Sequence, residues 1–260
     1  MKKNIRSATA RLEFIREKVS KQQEVSIPRL AESLGVSEMT IRRDLARLEE
    51  MGLLQRTHGG AVSSERSRFE FDHSRRRAER RREKQAVAAE ALKLISPGDR
   101  IILDNGTTTL ELALLLGEDL DLTVVTPSLA VAAALQFRPN IETILLGGVL
   151  RQGRAELTGI VTERILEMFA VDIAFQGADG IDLDGRVYVG DPRVAEVDRK
   201  IHMRSAKTYL LADHSKIGQT ALIQFTTLRD ITGLITDSGL SAAHRRALNK
   251  CGGRLIIAGT

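Results

Sequence analysis

The side chains best suited to chemistry fall into two sets. The first is Ser37, Glu38, Thr40, Arg42, Arg43 and Arg47. If this stretch is helical, Ile41, Leu45 and Leu48 line one side and the polar set lines the other. Arginine forks fit guanine edges and phosphates, and a threonine hydroxyl fits either kind of base contact. Arg56 and His58 follow on a short hairpin pattern, placed to touch DNA backbone or minor groove. The second set begins with Asp104-Asn105-Gly106-Thr107-Thr108-Thr109 and continues through Thr126-Pro127-Ser128, Gly147-Gly148, Gly177 to Asp182, and Ala212 to Lys216. A glycine among small hydroxyl residues at a strand-to-helix turn lets backbone N–H groups and hydroxyls surround an anion. Asp179 and Asp182 can accept hydrogen bonds from sugar hydroxyls, and Lys216 can neutralise a phosphate.

Each set needs elements to hold it. Ser26 is an N-cap candidate, Pro28 falls in the first turn, and Ile27, Leu30, Ala31 and Leu34 share a face that stops at Gly35. Val36 alone separates that stop from a second N-cap, Ser37, so the next helix leaves steeply and ends at Gly52. Residues 53–62 then read as a hairpin wing whose turn is supplied by Gly59 and Gly60. With an opening helix over 8–20 carrying Leu12, Ile15 and Val19, residues 1–62 make a winged helix-turn-helix, its helix-turn-helix over about 24–50. Residues 63–84 read as a linker with a small apolar anchor at Phe69-Glu70-Phe71. Its arginine block, Arg75 to Arg82, is read mainly as a solvated hinge with sequence-independent phosphate contacts.

From 85 to 260, strands near 100–104, 122–126, 143–147, 171–177, 206–212, 231–236 and 254–258 alternate with helices. The helices are near 108–116, 128–137, 160–169, 191–204 and 238–250, and one more lies before the first strand at about 83–95. Runs of Ile, Leu and Val without polar alternation mark strands covered on both faces. The alternation predicts a parallel sheet, so the whole is α+β: a winged helix-turn-helix followed by an α/β domain. All five polar segments of the second set fall at C-terminal strand ends, the edge where open parallel sheets bind ligands. That domain is therefore expected to bind a small molecule.

Bulk composition agrees with this division. Residues 1–84 carry 21 Lys and Arg against 13 Asp and Glu, and the rest 18 against 21; the net +8 and −3 make the chain's +5. Positive charge thus gathers beside the DNA-reading pattern. One cysteine, Cys251, excludes an internal disulfide framework and fits a reducing cytoplasm. The basic start lacks the apolar stretch of a signal peptide, and no run reaches the ~18 apolar residues of a membrane span. The histidines, His58, His73, His202, His214 and His244, lack metal-ligand or triad spacing, so neither metal nor cofactor is expected. A sugar-phosphate isomerase bearing a DNA-binding module is the alternative, with Asp179 and Asp182 as its acids. It lacks a glutamate base after Lys216, where Ile217-Gly218-Gln219-Thr220 follows, so no enzyme activity is expected. An architectural DNA protein has no use for the acidic second domain. Self-association is expected, because one reader module buries too little surface for operator specificity.

The segment VSEMTIRRDLARLEEMGLLQRTHGGA, Val36 to Ala61, closely resembles the N-terminal signature of the DeoR family of bacterial sugar-operon regulators. The glycine-, threonine- and aspartate-bearing segments of the second half resemble the family's effector domain, which is similar in fold to ribose-5-phosphate isomerase. The resemblance implies a repressor that binds double-stranded operator DNA. It also implies a phosphorylated sugar effector, its phosphate at the threonine loop and Asp179, Asp182 and Lys216 lining the pocket. The chain departs from the family pattern at four places. Asn105 stands for a usual Ser and Pro127 for a usual Asn. Val194 stands for a usual Glu and Asp198 for a usual Lys. An aspartate in place of a cation beside an anion site repels that anion, so Asp198 bears on effector identity.

Overall fold

The computed structural model describes residues 7–22, 24–63, 76–151 and 154–259. The chain divides into two compact units, residues 1–76 and 77–260. The boundary falls inside the stretch read as a linker, and Phe69-Glu70-Phe71 lies outside the described residues.

The first unit has helices α1 (Ala8–Gln22), α2 (Ile27–Leu34) and α3 (Glu38–Glu50), with strands β1 (Glu24–Ser26), β2 (Leu54–Arg56) and β3 (Gly60–Ser63). Pro28 occupies the first turn of α2, and Ser26 stands at its N-cap without making a side-chain cap bond. Gly35 adopts φ +67, the left-handed geometry that ends α2. The Ser37 side chain accepts from Thr40 N and opens α3. Ile15, Val19, Leu30, Leu34, Ile41, Leu45 and Leu48 form the core.

The hairpin differs from expectation at its glycines. The turn closes between Thr57 and Gly60, so its central residues are His58 and Gly59. Gly60 instead belongs to β3, which β1 flanks on its other side in the order β1-β3-β2. A Cβ at Gly60 would stand 1.8 Å from the Val25 carbonyl oxygen, so the close approach of β1 demands a glycine. The wing is thus the outer hairpin of a three-stranded sheet.

In the second unit α4 (Arg81–Leu92) precedes β4 (Arg100–Leu103), α5 (Thr107–Leu115), β5 (Leu122–Thr126), α6 (Leu129–Leu135) and β6 (Ile141–Leu145). A small hairpin, β7 (Val149–Leu150) and β8 (Leu157–Thr158), leads to α7 (Ile160–Leu166) and β9 (Val171–Gln176). Then come β10 (Gly180–Ile181), β11 (Arg186–Val189), α8 (Pro192–Met203), β12 (Ser205–Leu211) and β13 (Ile223–Thr227). The chain closes with β14 (Gly233–Asp237), α9 (Ala242–Leu248) and β15 (Arg254–Ala258). Seven parallel strands make the main sheet in the order β15-β14-β12-β9-β4-β5-β6.

Alternation along the strands sends side chains to both faces. Ile101, Leu103 and Phe175 pack with Val87, Ala91, Leu112 and Val131 from α4, α5 and α6. Ile102, Val125 and Ala174 pack with Leu166, Val197 and Ile201 from α7 and α8. The chain builds β4, β5 and β6 outward in one direction, then returns to place β9 on the other side of β4. The strand order reverses between β4 and β9, the kind of switch point at which ligands bind in open α/β sheets. A second sheet, β10-β11-β13, lies outside the main one.

Candidate functional site

On α3 the apolar face is buried, and Glu38, Arg42, Arg43 and Arg47 are exposed, with Thr40 partly so. The first turn is fixed by Ser37 Oγ, 3.2 Å from Thr40 N and 3.0 Å from Thr40 Oγ1. Glu38 lies 3.9 Å from Arg42, a loose pair one turn apart. Arg43 and Arg47 have no carboxylate partner among the described residues, so their forks are free for an outside anion. The sequence reading missed Asp44, which turns inward. Arg11 Nε and Nη2 donate to it at 2.5 and 3.1 Å, tying α1 to α3.

The wing is tied to the same helix. Glu49 accepts from Arg56 N at 2.8 Å and from Arg56 Nε at 2.6 Å. These bonds hold the Glu49 carboxyl below the usual carboxylate range, the backbone bond acting most strongly. Arg56, read as a DNA contact, is thus engaged with Glu49, while His58 stands exposed at the tip.

In the second unit, the Asp104 loop leaves β4 and lies against the loop that leaves β9. Asp104 Oδ2 accepts from Gly177 N at 2.8 Å, and Oδ1 accepts from Asn105 N. An ideal Cβ on Gly106 would lie 3.8 Å from Gly177 Cα, so the two loops touch at their glycines. Thr109 is spent on the loop itself, its hydroxyl donating to the carbonyls of Asp104 and Gly106 at 2.8 and 2.7 Å. The hydroxyls of Thr107 and Thr108 make no hydrogen bond with any described residue. They open α5, whose N-cap is Gly106 with no side-chain cap and whose first turn carries no acid. N–H groups and two free hydroxyls at a helix start fit an oxyanion.

The other expected residues divide. Asp179 is exposed and accepts from Gly190 N at 2.7 Å, and its charge reaches Asp104. Gly147 and Gly148 serve α7: the Gly147 carbonyl accepts from Thr162 Oγ1 at 2.7 Å, and a Cβ on Gly148 would meet that oxygen at 1.9 Å. These contacts give both glycines a packing role beside α7. Asp182 is engaged locally. Its oxygens accept from Arg186 N, Tyr188 Oη and Asp184 N at 2.8, 2.9 and 3.0 Å, and its charge acts on Cys251. It closes the β10–β11 turn rather than joining Asp104.

Lys216 ends a short 3₁₀ turn, His214–Lys216, capped by the Asp213 side chain. Its charge falls on Lys84, a buried lysine of α4 that sequence reading left within the linker. Burial chiefly, then Lys216, pushes the Lys84 ammonium below its ordinary value, while Asp213, Glu79 and Glu111 oppose that shift. Glu111 on α5 binds Arg77 at 2.8 Å and Gln85 at 3.3 Å, and Asp213 lies 3.7 Å from Arg80. Arg77 and Arg80, read as solvated hinge residues, therefore belong to the ion pairs of the second unit. Arg75 and its upstream neighbours lie outside the described residues.

Two further carboxylates reach the Asp104 loop, and position in the sequence did not reveal them together. Glu156 arrives on the β7–β8 hairpin, which bridges to Ser128 beyond β5, and pairs with Arg151. Asp198 projects from α8 and is 1% exposed. Burial chiefly, with Glu156 and Asp179 adding, pushes Asp104 up to about 6 against its hydrogen bonds. Burial and then Asp104, Glu156 and Asp179 push Asp198 well above the usual range. Among the described residues no group of three or more His, Cys, Asp or Glu has the arrangement to hold a metal ion.

A capped basic helix with a wing, followed in the chain by a parallel-sheet α/β domain, defines a helix-turn-helix transcription regulator. Residues 11–67 match the DeoR-like helix-turn-helix domain and residues 79–238 the DeoR C terminal sensor domain, so the chain belongs to the DeoR family. It is 37% identical over 238 residues to the HTH-type transcriptional regulator YulB of Bacillus subtilis, covering 92% of each chain. The L-fucose operon activator of Haemophilus influenzae is 34% identical, over 88% of this chain and 91% of its own. The lactose phosphotransferase system repressor of Staphylococcus epidermidis is 33% identical, with the same two coverages. Ribose 5-phosphate isomerase A of Methanocaldococcus jannaschii aligns at TM-score 0.39 and 23% identity over 52% of this chain and 53% of that one, too distant to carry chemistry across. No helix among the described residues is long and apolar enough to cross a membrane.

Proposed function

We propose that this chain is a sequence-specific repressor of a carbohydrate-use operon, released from double-stranded operator DNA by a phosphorylated sugar. The reading rests above all on α3, where Arg43 and Arg47 stand free on the face opposite a fully buried core. That is the arrangement a major-groove reader needs. Ser37, Glu38 and Thr40 form its leading turn, and His58 on the wing approaches the backbone. The effector phosphate meets the first turn of α5 at Thr107 and Thr108, with Lys216 and Lys84 supplying positive charge. The protein acts as a homo-oligomer, which doubles the base pairs read.

Selection of bound duplexes from a random pool should yield one two-fold symmetric sequence, and a sugar phosphate should then release it. Recovery of no consensus would contradict the DNA reading. A consensus whose complex resists a panel of triose to hexose phosphates would contradict the effector reading.

One observation favours catalysis as a second reading, because a carboxyl pushed up to about 6, as Asp104 is, suits a general base. Solvent deuterium entering the C–H beside the carbonyl of an aldose phosphate, detected by NMR, would establish it. The regulator reading expects none.

A further inference from the structure

The carboxylates at the switch point outnumber the cations that face them. Asp104, Glu156 and Asp198 are buried there, and Asp179 stands at their rim. Each is close enough to act on another: Glu156 and Asp179 act on Asp104, and all three act on Asp198. Among the described residues, the ion pair this group makes is Glu156 with Arg151, and Arg151 is divided between Glu156 and Asp191 at the α8 N-cap.

Two buried acceptors at this place find no donor among the described residues, Asp198 Oδ1 and Gln176 Oε1. Gln176 is 0% exposed, and its Nε2 donates to the Asp198 backbone carbonyl at 2.9 Å. The two side chains therefore lie together where α8 packs on the end of β9. Leaving a buried acceptor unpaired is unfavourable, and two beside three carboxylates call for a donor that also brings positive charge. A sugar hydroxyl donates one hydrogen and brings no charge. An ammonium group donates three hydrogens, accepts none, and is cationic.

Taking the sugar-phosphate reading above as given, we propose that the effector is an amino sugar phosphate whose ammonium group is held by Asp198 and Gln176 with Asp104 alongside. Its phosphate takes the first turn of α5. Binding draws protons off the carboxyls that meet the ammonium, so uptake of ligand releases protons to solvent.

The test is calorimetric titration of the full chain with matched pairs: glucosamine 6-phosphate against glucose 6-phosphate, and galactosamine 6-phosphate against galactose 6-phosphate. In at least one pair the amine should bind roughly ten- to a hundredfold tighter than its hydroxyl twin, the range of a charged hydrogen bond. Proton release should show as a heat that varies with buffer ionisation enthalpy. Asp198→Asn should erase the preference by weakening the amine's binding. Equal or tighter binding of the hydroxyl twins, or a preference that survives Asp198→Asn, would overturn the inference and leave the sugar-phosphate reading standing. Binding by neither member of any pair would overturn the inference, and the triose-to-hexose phosphate panel then decides the sugar-phosphate reading. A melting-temperature rise on magnesium or calcium chloride that Asp198→Asn abolishes would also overturn it, assigning the carboxylates to a metal. The wild-type comparison decides the matter even if the variant does not fold.

Discussion

The two units treat charge in opposite ways. In the first, acids are consumed locally: Asp44 by Arg11, Glu49 by Arg56, Glu38 by Arg42, leaving Arg43 and Arg47 free on the surface. In the second, acids converge from distant elements and outnumber their cations at the buried ends of β4 and β9. Surplus exposed positive charge suits a long polyanion, which meets a face. A surplus of buried carboxyl groups suits a small ligand that supplies the hydrogen-bond donors the fold has withheld. The same side-chain chemistry thus has different uses, and burial decides which.

The comparison is sharpened first by breaking the inner pair of the reader. Asp44 and Arg11 side chains are 10% and 13% exposed, so Asp44→Ala strands a largely buried cation. It should cost about 3 kcal/mol of stability in the first unit, seen in urea unfolding. A loss near zero would mean that Arg11 simply turns to solvent.

On the outer face, Arg43→Ala should leave folding intact and weaken binding to the selected operator by about 1–3 kcal/mol. Gel-shift affinities on operator and scrambled duplex separate base reading from phosphate contact, since equal losses mean phosphate contact. No loss on either would remove α3 from the interface.

The buried acids give a smaller effect of opposite sign. Asp104 and Asp198 bind protons more tightly folded than unfolded, where an aspartate sits near 3.8. Protonation therefore favours the folded chain, and stability falls as pH rises from the ordinary value through about 6. Asp198→Asn removes the most strongly affected carboxyl of the group formed with Asp104, Glu156, Asp179, Gln176 and Arg151. At pH 8 it should gain about 1 kcal/mol, roughly 3 °C in Tm, and at pH 5 much less. Melting curves across that window check it. An identical pH dependence in the two proteins would show that Asp198 is not ionising.

How much was legible follows from the same division. The seven main strands and their helices were readable because each carries an apolar run or a helical period, and their ends fall close to those expected. The β7–β8 hairpin and β10 are two residues long and leave no period to detect. Likewise Gly60 looked like a turn residue, because nothing local announces the carbonyl of Val25 arriving beside it. Exposed Arg43 and Arg47 were legible from periodicity alone. The candidate site was half legible: Asp104 and the threonines follow a strand end, whereas Glu156, Gln176 and Asp198 meet only through tertiary packing. The structural contacts of Asp182 and Gly147-Gly148 were hidden for the same reason. A strand-end aspartate or glycine reads alike whether it faces a crevice, closes a turn or admits a helix.

In the proposed function a ligand at the α5 turn governs DNA binding elsewhere in the chain. An operator-release titration on wild type, Thr108→Val and Lys216→Ala tests it most directly. Thr108→Val keeps the shape of the turn and deletes a hydroxyl that no described residue uses, while Lys216→Ala removes a charge. By linkage the effector must weaken operator binding by the factor that operator weakens effector binding. The account predicts that both variants hold operator as wild type does and need at least about tenfold more sugar phosphate to release it. Release by both at the wild-type concentration would contradict the account and move the effector site elsewhere.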